Sequence, residues 1–363
     1  MSVHEIKLPT RVNVSCIAAR DDRIAVGLDD GQIMIYNDNN CHRMPKYHAV
    51  AINSIAFSPI TPAMFVSGCI NGVINVWSHN KRLAKHRVGP GPRSPPCISF
   101  SRDYVFIMQR RRVLAWRTNN WTLPPVEIQY DSDTTCCYPQ LSSDGRLLVS
   151  ADSDKSNVLR LWHIRDNERK CKRGHLTADF AGTVQIPVST ACDLFYSSPT
   201  NATQFACGDR NEDDDGAIYD NGTIYIIDFI SGTPHVRQLL GHTRRLNCLA
   251  YSPCGQQLVS RSFDNTMRLW DVASGACTRV LQGDKPFHVD IALMSGGKQL
   301  VTALYPHIIR VRTLCKWSER DHRLFSPDLR RRVVWVLCAR VRLAEKNMPY
   351  EIWRMIIQNM LNM

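Results

Sequence analysis

The sequence predicts an all-β fold, a seven-bladed β-propeller closed by the N-terminal strand, with a short C-terminal helical extension. The first observation is a strand-like segment that recurs and ends near Tyr36, Trp77, Trp116, Trp162, Ile227, Trp270 and Arg312. Most of these positions are roughly 40–45 residues apart, the period of a repeat whose unit is one four-stranded blade. The length of 363 residues suits one large repeat domain with an appendage. After about residue 316 the composition changes from strand-rich to arginine-rich and helical.

Tight turns inside the predicted blades are marked by Asp-Gly and Asn-Gly pairs. Such pairs occur at residues 30–31, 71–72 and 144–145, each between alternating apolar runs. Asp, Asn and Gly tolerate the positive φ angles of short hairpins. We therefore place a hairpin between two strands of a blade at each of these pairs.

Composition and charge describe an ordinary globular chain, with 44% hydrophobic and 21% charged residues. The first ten residues lack the apolar core of a signal peptide, and no apolar run reaches the ~18 residues of a transmembrane span. The fourteen cysteines are scattered without a CxxC pair, which favours buried free thiols. We expect a cytoplasmic or nuclear protein.

The sixth repeat, GHTRRLNCLAYSPCGQQLVSRSFDNTMRLWDV at residues 241–272, resembles the WD-repeat family. This resemblance implies a hydrogen-bonded chain inside the blade, formed by His242, Ser260, Asp264 and Trp270. A buried indole N–H, imidazole and carboxylate must each find partners. We expect these four residues to have a structural role.

The resemblance covers about residues 11–313 and implies a ring of blades. The segment at residues 4–9 alternates polar and apolar residues, as a strand does. We predict that residues 3–8 pair with the segment near 308–313 and remove the free edge of the last blade. Six or eight blades remain alternatives, because the third and seventh repeats keep little of the signature.

The same resemblance implies that partners bind on the narrow face of the ring. The positions just before the tight-turn Asp and just after the opening His would contact them, and here they are Asp29, Ile70, Asp220, Phe263, Arg244 and Arg245. An exposed apolar residue beside arginines is typical of a binding hot spot.

No sequence motif indicates catalysis, a cofactor or a metal. Nucleophile elbows, phosphate-binding loops and zinc-ligand spacings do not occur.

The interval from Trp162 to Ile227 is about twenty residues longer than the others, and part of this extra length lies at residues 210–222. Asn211, Asp213 and Asp215 there mimic a calcium loop, but Gly222 stands where a bidentate Glu is needed, which favours an acidic hairpin. We expect a protein that is not an enzyme.

The tail is predicted to form two short amphipathic helices, so that residues 1–313 form the propeller and residues 314–363 a separate unit. Ser326-Pro327 is a good helix start, and Leu329, Val333 and Leu337 follow near one stripe. A second helix begins at Pro349 and carries Ile352 and Ile356 at helical spacing.

The tail resembles, weakly, an F-box or a SOCS box. Residues 348–352, MPYEI, are similar to the opening of the F-box helix, and a SOCS box of about forty residues occupies the same C-terminal position in its family. Either resemblance implies that residues 322–363 bind a ubiquitin-ligase adaptor through the tail's apolar residues. The alternatives are packing of the helices on the propeller and a basic contact with membrane or nucleic acid, which the net charge of +12 favours without specifying nucleic acid.

Together these features predict an interaction scaffold of the WD-repeat type. The alternative is a substrate-recognition subunit of a cullin-type ubiquitin ligase.

Overall fold

A computed structural model of the chain describes most of the region predicted to form the propeller. The described residues are 3–8, 12–37, 40–61, 63–88, 97–101, 103–109, 112–121, 124–128, 136–152, 158–166, 176–185, 192–209, 222–230, 233–282, 288–294, 297–304 and 308–314. The predicted acidic hairpin with Asp220, and the two predicted tail helices with Leu329, Val333, Leu337, Pro349, Ile352 and Ile356, lie outside these residues. The division into a propeller and a tail therefore stays a prediction.

The described residues form seven four-stranded antiparallel sheets, one per blade. Blades one and two contain β2 (Val14–Arg20), β3 (Arg23–Leu28), β4 (Ile33–Asn37), β5 (Asn40–Arg43), β6 (Ile52–Phe57), β7 (Met64–Cys69), β8 (Val73–Ser78) and β9 (Lys81–Arg87). Blades three and four contain β10 (Cys97–Phe100), β11 (Tyr104–Gln109), β12 (Arg112–Arg117), β13 (Val126–Ile128), β14 (Cys136–Leu141), β15 (Leu147–Asp152), β16 (Val158–Asp166) and β17 (Leu176–Gln185).

The remaining blades follow the same order. Blades five and six contain β18 (Cys192–Ser197), β19 (Gln204–Asp209), β20 (Ile224–Ile230), β21 (Thr233–Leu239), β22 (Leu246–Tyr251), β23 (Gln257–Ser262), β24 (Thr266–Asp271) and β25 (Cys277–Gln282). Blade seven contains β26 (His288–Met294), β27 (Gln299–Leu304), β28 (Ile308–Thr313) and, as its outer strand, β1 (Val3–Lys7).

The first strand of the chain completes the last blade. β1 pairs antiparallel with β28, with Val3 opposite Arg312 and Ile6 opposite Ile309. The Nε of Arg310 also donates a hydrogen bond of 2.9 Å to Glu5 Oε1 across the two strands. The predicted pairing of residues 3–8 with 308–313 and the blade count of seven are confirmed.

The core lies between blades rather than in one central cluster. Apolar clusters occupy all seven interfaces between neighbouring blades, including the one between blades seven and one. The largest fully buried side chains include Trp77, Trp162 and Trp270, each on the third strand of its blade. Because each blade packs on two neighbours, both faces of each sheet are covered, and the inner strands of neighbouring blades lie side by side around the ring.

Part of the long interval after Trp162 belongs to the fourth blade. β16 has nine residues and β17 has ten, whereas the third strand of blade six has six. The extra length is therefore shared between this extended hairpin and the segment predicted at 210–222. In the described part of the chain, no helix is long and apolar enough to cross a membrane.

Candidate protein-interaction site

A hydrogen-bonded chain inside blade six brings together His242, Ser260, Asp264 and Trp270. The Trp270 indole N–H donates to Ser260 Oγ at 2.8 Å, and Ser260 Oγ lies 2.7 Å from His242 Nε2. His242 Nδ1 lies 2.7 Å from Asp264 Oδ2. Ser260 is fully buried and Trp270 is 1% exposed. The four residues chosen from the sequence are thus in contact in the order that the resemblance implies.

The direction of these hydrogen bonds assigns the histidine tautomer. Because Ser260 accepts from the indole, its own hydroxyl proton is free to point at His242 Nε2. The imidazole proton then lies on Nδ1 and is donated to the Asp264 carboxylate. Asp264 also accepts from the backbone N–H of Thr243 at 3.2 Å and from the Thr266 hydroxyl at 2.7 Å. Asp264 therefore ties the segment after the opening His to the tight turn.

The pKa values in this blade follow from burial and from the contact between the two groups. Burial lowers the pKa of His242, and the hydrogen bond to Asp264 opposes that shift. Burial by itself would raise the pKa of Asp264, but hydrogen bonds from Thr266 and His242 outweigh it and hold that pKa below its ordinary value. Near neutral pH the pair is therefore a neutral imidazole bonded to a carboxylate.

Blade two contains a second chain of this kind, which the sequence analysis did not identify. Trp77 Nε1–H donates to Ser67 Oγ at 2.8 Å, and Ser67 Oγ lies 2.8 Å from His48 Nε2. The available signal was spacing, because Ser67 precedes Trp77 by ten residues, just as Ser260 precedes Trp270. Asn75 adds an amide 2.9 Å from His48 Nε2.

His48 differs from His242 in lacking a carboxylate. Its tight-turn residue is Asn71, and among the described residues no group forms a hydrogen bond with the buried His48 Nδ1. Burial, with the positive charges of Arg82 and Lys85, lowers the pKa of His48 to about 4. His48 is therefore neutral across the physiological range.

Three of the predicted partner-binding residues occupy equivalent positions in their blades. The backbone N–H of Asp29, Ile70 and Phe263 each donates to a carbonyl just before the inner strand, belonging to Asn13, Ala51 and Arg245, at 3.0, 3.3 and 3.0 Å. Since the inner strands of neighbouring blades run side by side in the same direction, the turns between second and third strands lie on one face of the ring. We call this the turn face.

Phe263 and Arg245 form the most distinctive contact on the turn face. The Arg245 guanidinium lies 4.3 Å from the centre of the Phe263 ring, and Phe263 is 36% exposed. A cation over an aromatic face is held by the ring quadrupole and restricts both side chains. Next to it, the carbonyl of Arg244 accepts from the Ser262 hydroxyl at 2.7 Å, which fixes the backbone while the Arg244 side chain stays exposed.

The other two candidates lie on the turn face at blades one and two. Ile70 is 48% exposed at the β7–β8 turn, where Gly72 has a φ of 70° that favours glycine. Asp29 is exposed and accepts a hydrogen bond of 2.8 Å from the Asn13 side chain. Blades one and two are adjacent, whereas blade seven separates blade six from blade one, so the structure does not gather all candidates into one patch.

A set of contacts between the inner strands of blades seven and one was also not predicted. Asp290 on β26 accepts from the backbone N–H of Ile17 on β2 at 3.0 Å and from Ile291 at 2.9 Å. These bonds join blade seven to blade one. The surrounding protein removes water from this carboxyl group and raises its pKa to about 6, although the two N–H donors oppose the shift. No group of three or more His, Cys, Asp or Glu residues suited to a metal occurs within the described ranges.

Comparison with known proteins places these features in a wider group. The family model described as "WD domain, G-beta repeat" matches residues 234–271, which contain most of the outer strand of blade five and the first three strands of blade six. The chain is 38% identical over 68 residues to U3 small nucleolar RNA-associated protein 21 of Saccharomyces cerevisiae, covering 19% of this chain and 7% of that protein. It is 24% identical over 268 residues to the B-type cell cycle switch protein ccs52A of Medicago truncatula, covering 70% of this chain and 49% of that protein.

Solved structures show the same architecture over most of the chain. A chain in the crystal structure of the mitotic checkpoint complex superposes with a TM-score of 0.64 at 15% identity, covering 86% of this chain and 93% of that chain. At this identity the likeness shows the fold alone. The chain spans less than half the length of either curated relative. The chain is a seven-bladed β-propeller whose residues 234–271 match the WD-repeat family model.

Proposed function

We propose that this protein is a non-enzymatic interaction scaffold that binds another protein on its turn face. The observation that carries the proposal is the exposed Phe263 ring with Arg245 stacked on it, set beside Arg244. Aromatic and arginine side chains dominate binding hot spots because each gives a large contact area and directional interactions. Ile70 and Asp29 would add contacts at blades one and two.

The rigidity of the support favours this use. Asp264 follows Phe263 directly and is bonded to His242, Thr243 and Thr266. The turn is therefore fixed before a partner arrives, and less conformational entropy is lost on binding than with a mobile loop. The names of a nucleolar RNA-associated relative and of a cell cycle switch protein support a nuclear location for the scaffold, with the cytoplasm as the alternative.

The double variant Phe263→Ala/Arg245→Ala is expected to lose its turn-face partner without unfolding. Two hot-spot truncations at about 2 kcal/mol each weaken binding by well over tenfold. The measurement uses the tagged full chain, unchanged or variant, to capture proteins from nuclear extract and quantifies the amount of each protein captured. The thermal unfolding temperature of each variant shows whether the variant is still folded. Phe180→Ala/Arg165→Ala on the outer hairpin of blade four is the matched control, since Phe180 is 54% exposed. Equal recovery with both variants would refute the turn-face site.

A second candidate function is substrate recognition for a cullin-type ubiquitin ligase. The supporting observation is the tail sequence, in which residues 348–352 resemble an F-box opening and Leu329, Val333, Leu337, Ile352 and Ile356 supply apolar contacts. The propeller would then bind the substrate and residues 322–363 the adaptor.

The tail is tested in the full chain by Leu329→Asp/Ile352→Asp. If the tail binds an adaptor, a cullin co-purifies with the unchanged chain, and its recovery falls at least tenfold with the variant because a buried carboxylate costs several kcal/mol. Proteins bound at the turn face should be recovered equally in both cases. Absence of a cullin from the unchanged chain's complexes ends this proposal and leaves the scaffold proposal intact.

A further inference from the structure

The outer edge of blade two carries a charged strand that the turn-face site does not use. β9, with the sequence KRLAKHR, has no acidic residue, and Lys81, Arg82, Leu83, Lys85 and Arg87 are all exposed. Among the strands that the structure describes, β9 pairs only with β8, so its outer backbone N–H and C=O groups form a free edge. Such an edge accepts another strand unless something prevents it.

A β-bulge places four of these side chains on one face of the strand. Val73 pairs with Arg87, Asn75 with Lys85, and Trp77 with Arg82, while Leu83 is the extra residue at the shift in register.

This register determines the direction of the side chains. Residues opposite each other in an antiparallel pair share a face, and the two residues of a bulge lie opposite the same partner. These four β9 side chains therefore project on the side of the sheet that faces blade one, where Trp77 belongs to the same hydrophobic cluster as Ile33 and Ile35.

An exposed tyrosine lies beside this face of β9. Tyr47, 44% exposed, lies in the segment that runs from blade one into blade two, and the Arg82 guanidinium lies 3.9 Å from the centre of its ring. Leu83, which follows Arg82 in the chain, is 52% exposed. The feature is a basic edge with an apolar part, formed by Tyr47, Arg82, Leu83, Lys85 and Arg87, which we call the β9 edge.

No residue in the described part of the chain forms an ion pair with the cations of the β9 edge, which are Arg82, Lys85 and Arg87. Arg82 and Lys85 also help to lower the pKa of His48, which shows that their field acts on this side of the blade. Uncompensated cations of one sign attract an acidic partner and exclude a basic one.

We infer that the β9 edge binds an extended acidic peptide segment as a fifth strand of blade two. In a strand, residues i and i+2 lie roughly 6.6–6.8 Å apart on one face. An added strand has the same repeat, so acidic side chains at alternate positions align with Lys85 and Arg87 while its backbone bonds to the free edge. An apolar residue of the peptide would contact Leu83 and Tyr47.

The rival explanations are edge protection and general polyanion binding. Lysine and arginine on an outer strand discourage aggregation without binding anything, but that role does not require an exposed leucine and a stacked tyrosine on the same face. A phosphate polymer would use the cations and would not need the backbone edge. The experiment must separate these three cases.

The test measures, with the full chain, the fluorescence anisotropy of a labelled ten-residue peptide of alternating Glu and Val in which Leu replaces one Glu, so that this Leu shares a face with the remaining Glu residues. We expect saturable binding that Lys85→Glu/Arg87→Glu weakens at least tenfold. Lys7→Glu/Arg146→Glu makes the same change in net charge at two other exposed positions, and we expect less than a twofold effect. A peptide with Pro at two adjacent central positions should bind at least tenfold more weakly, because one of the two replaced N–H groups would point at the edge and proline cannot donate.

Each remaining outcome overturns the inference. Absence of saturable binding identifies the cations as edge protection. Equal weakening by both charge-reversal variants identifies an effect of net charge. Equal binding of the proline peptide, or tighter binding of a ten-nucleotide oligouridine, identifies a polyanion site. Thermal unfolding of each variant, with Lys85→Ala/Arg87→Ala as a milder change, separates lost binding from lost fold, and Phe263→Ala/Arg245→Ala should leave peptide binding unchanged.

Discussion

Replacing Ser260 with alanine is expected to lower the free energy of unfolding by about 2–5 kcal/mol. The serine hydroxyl accepts from Trp270 and bonds to His242, both inside blade six. Alanine leaves an indole donor and an imidazole nitrogen buried without a partner, and each unsatisfied buried group costs about 1–3 kcal/mol. The lost hydroxyl itself contributes little to this cost.

Urea unfolding followed by tryptophan fluorescence measures the change. A double-mutant cycle with Trp270→Phe gives the decisive comparison, because phenylalanine has no N–H to leave unsatisfied. We expect Ser260→Ala to cost at least 1 kcal/mol less in the Trp270→Phe background. Ser274→Ala, at an exposed serine that bonds to Asp271, is the control and should cost less than about 0.5 kcal/mol. Additive costs of Ser260→Ala and Trp270→Phe would contradict the network.

The stability of this network and the proposed function are connected through one turn. Phe263 lies between Ser262, whose hydroxyl bonds to the Arg244 carbonyl and accepts from the Asp264 N–H, and Asp264 itself. A variant that breaks the network inside the blade should therefore also disturb the position of Phe263 on the surface. For this reason Ser260→Ala is a poor probe of binding, and the surface variants carry that test.

The architecture was predictable from the sequence because its signals are local and repeated. The recurring strand ending in Trp77, Trp116, Trp162 and Trp270 sets the period, and Asn71-Gly72 sets a turn whose glycine has a φ of 70°. The closing strand was predictable because a ring with one free edge needs one more strand. The length of the β16–β17 hairpin was not, since alternation by itself does not say where a strand stops.

The site was predictable only in part. His242, Ser260, Asp264 and Trp270 carry a full signature, whereas in blade two the turn residue is Asn71, and the remaining His48 and Ser67 look like isolated polar residues in a strand pattern. Contacts between blades depend on residues far apart in sequence, such as Ile17 and Asp290. The bulge that turns Leu83 outward has no Gly or Pro to mark it. Geometry of this kind emerges only when the sheets are assembled.

The two buried groups with opposite pKa shifts predict an unusual response to acid. His48 has a pKa of about 4 instead of 6.5, so between pH 6.5 and 4 the unfolded chain binds a proton that the native state does not. Stability then falls as the pH falls, by about 3 kcal/mol over that range. Asp290 has a pKa of about 6 instead of 3.8, so between pH 6 and 3.8 the native state binds the extra proton. Its contribution increases stability as the pH falls, by a similar amount.

Asp290→Asn is therefore expected to make the protein markedly more sensitive to acid. In the unchanged protein the stability gained through Asp290 nearly cancels the stability lost through His48 between pH 6 and 4. The variant has no ionisable group at position 290, so only the loss of stability through His48 remains. The difference in unfolding free energy between the two proteins should grow by about 2 kcal/mol from pH 6.5 to pH 4.5, measured by urea unfolding at each pH. Asp103→Asn, at an exposed aspartate, is the control. Its curve of unfolding free energy against pH should run parallel to the curve of the unchanged protein. If the Asp290→Asn curve also runs parallel, the carboxyl group at the seam between blades seven and one does not hold its proton, and that seam is open to water.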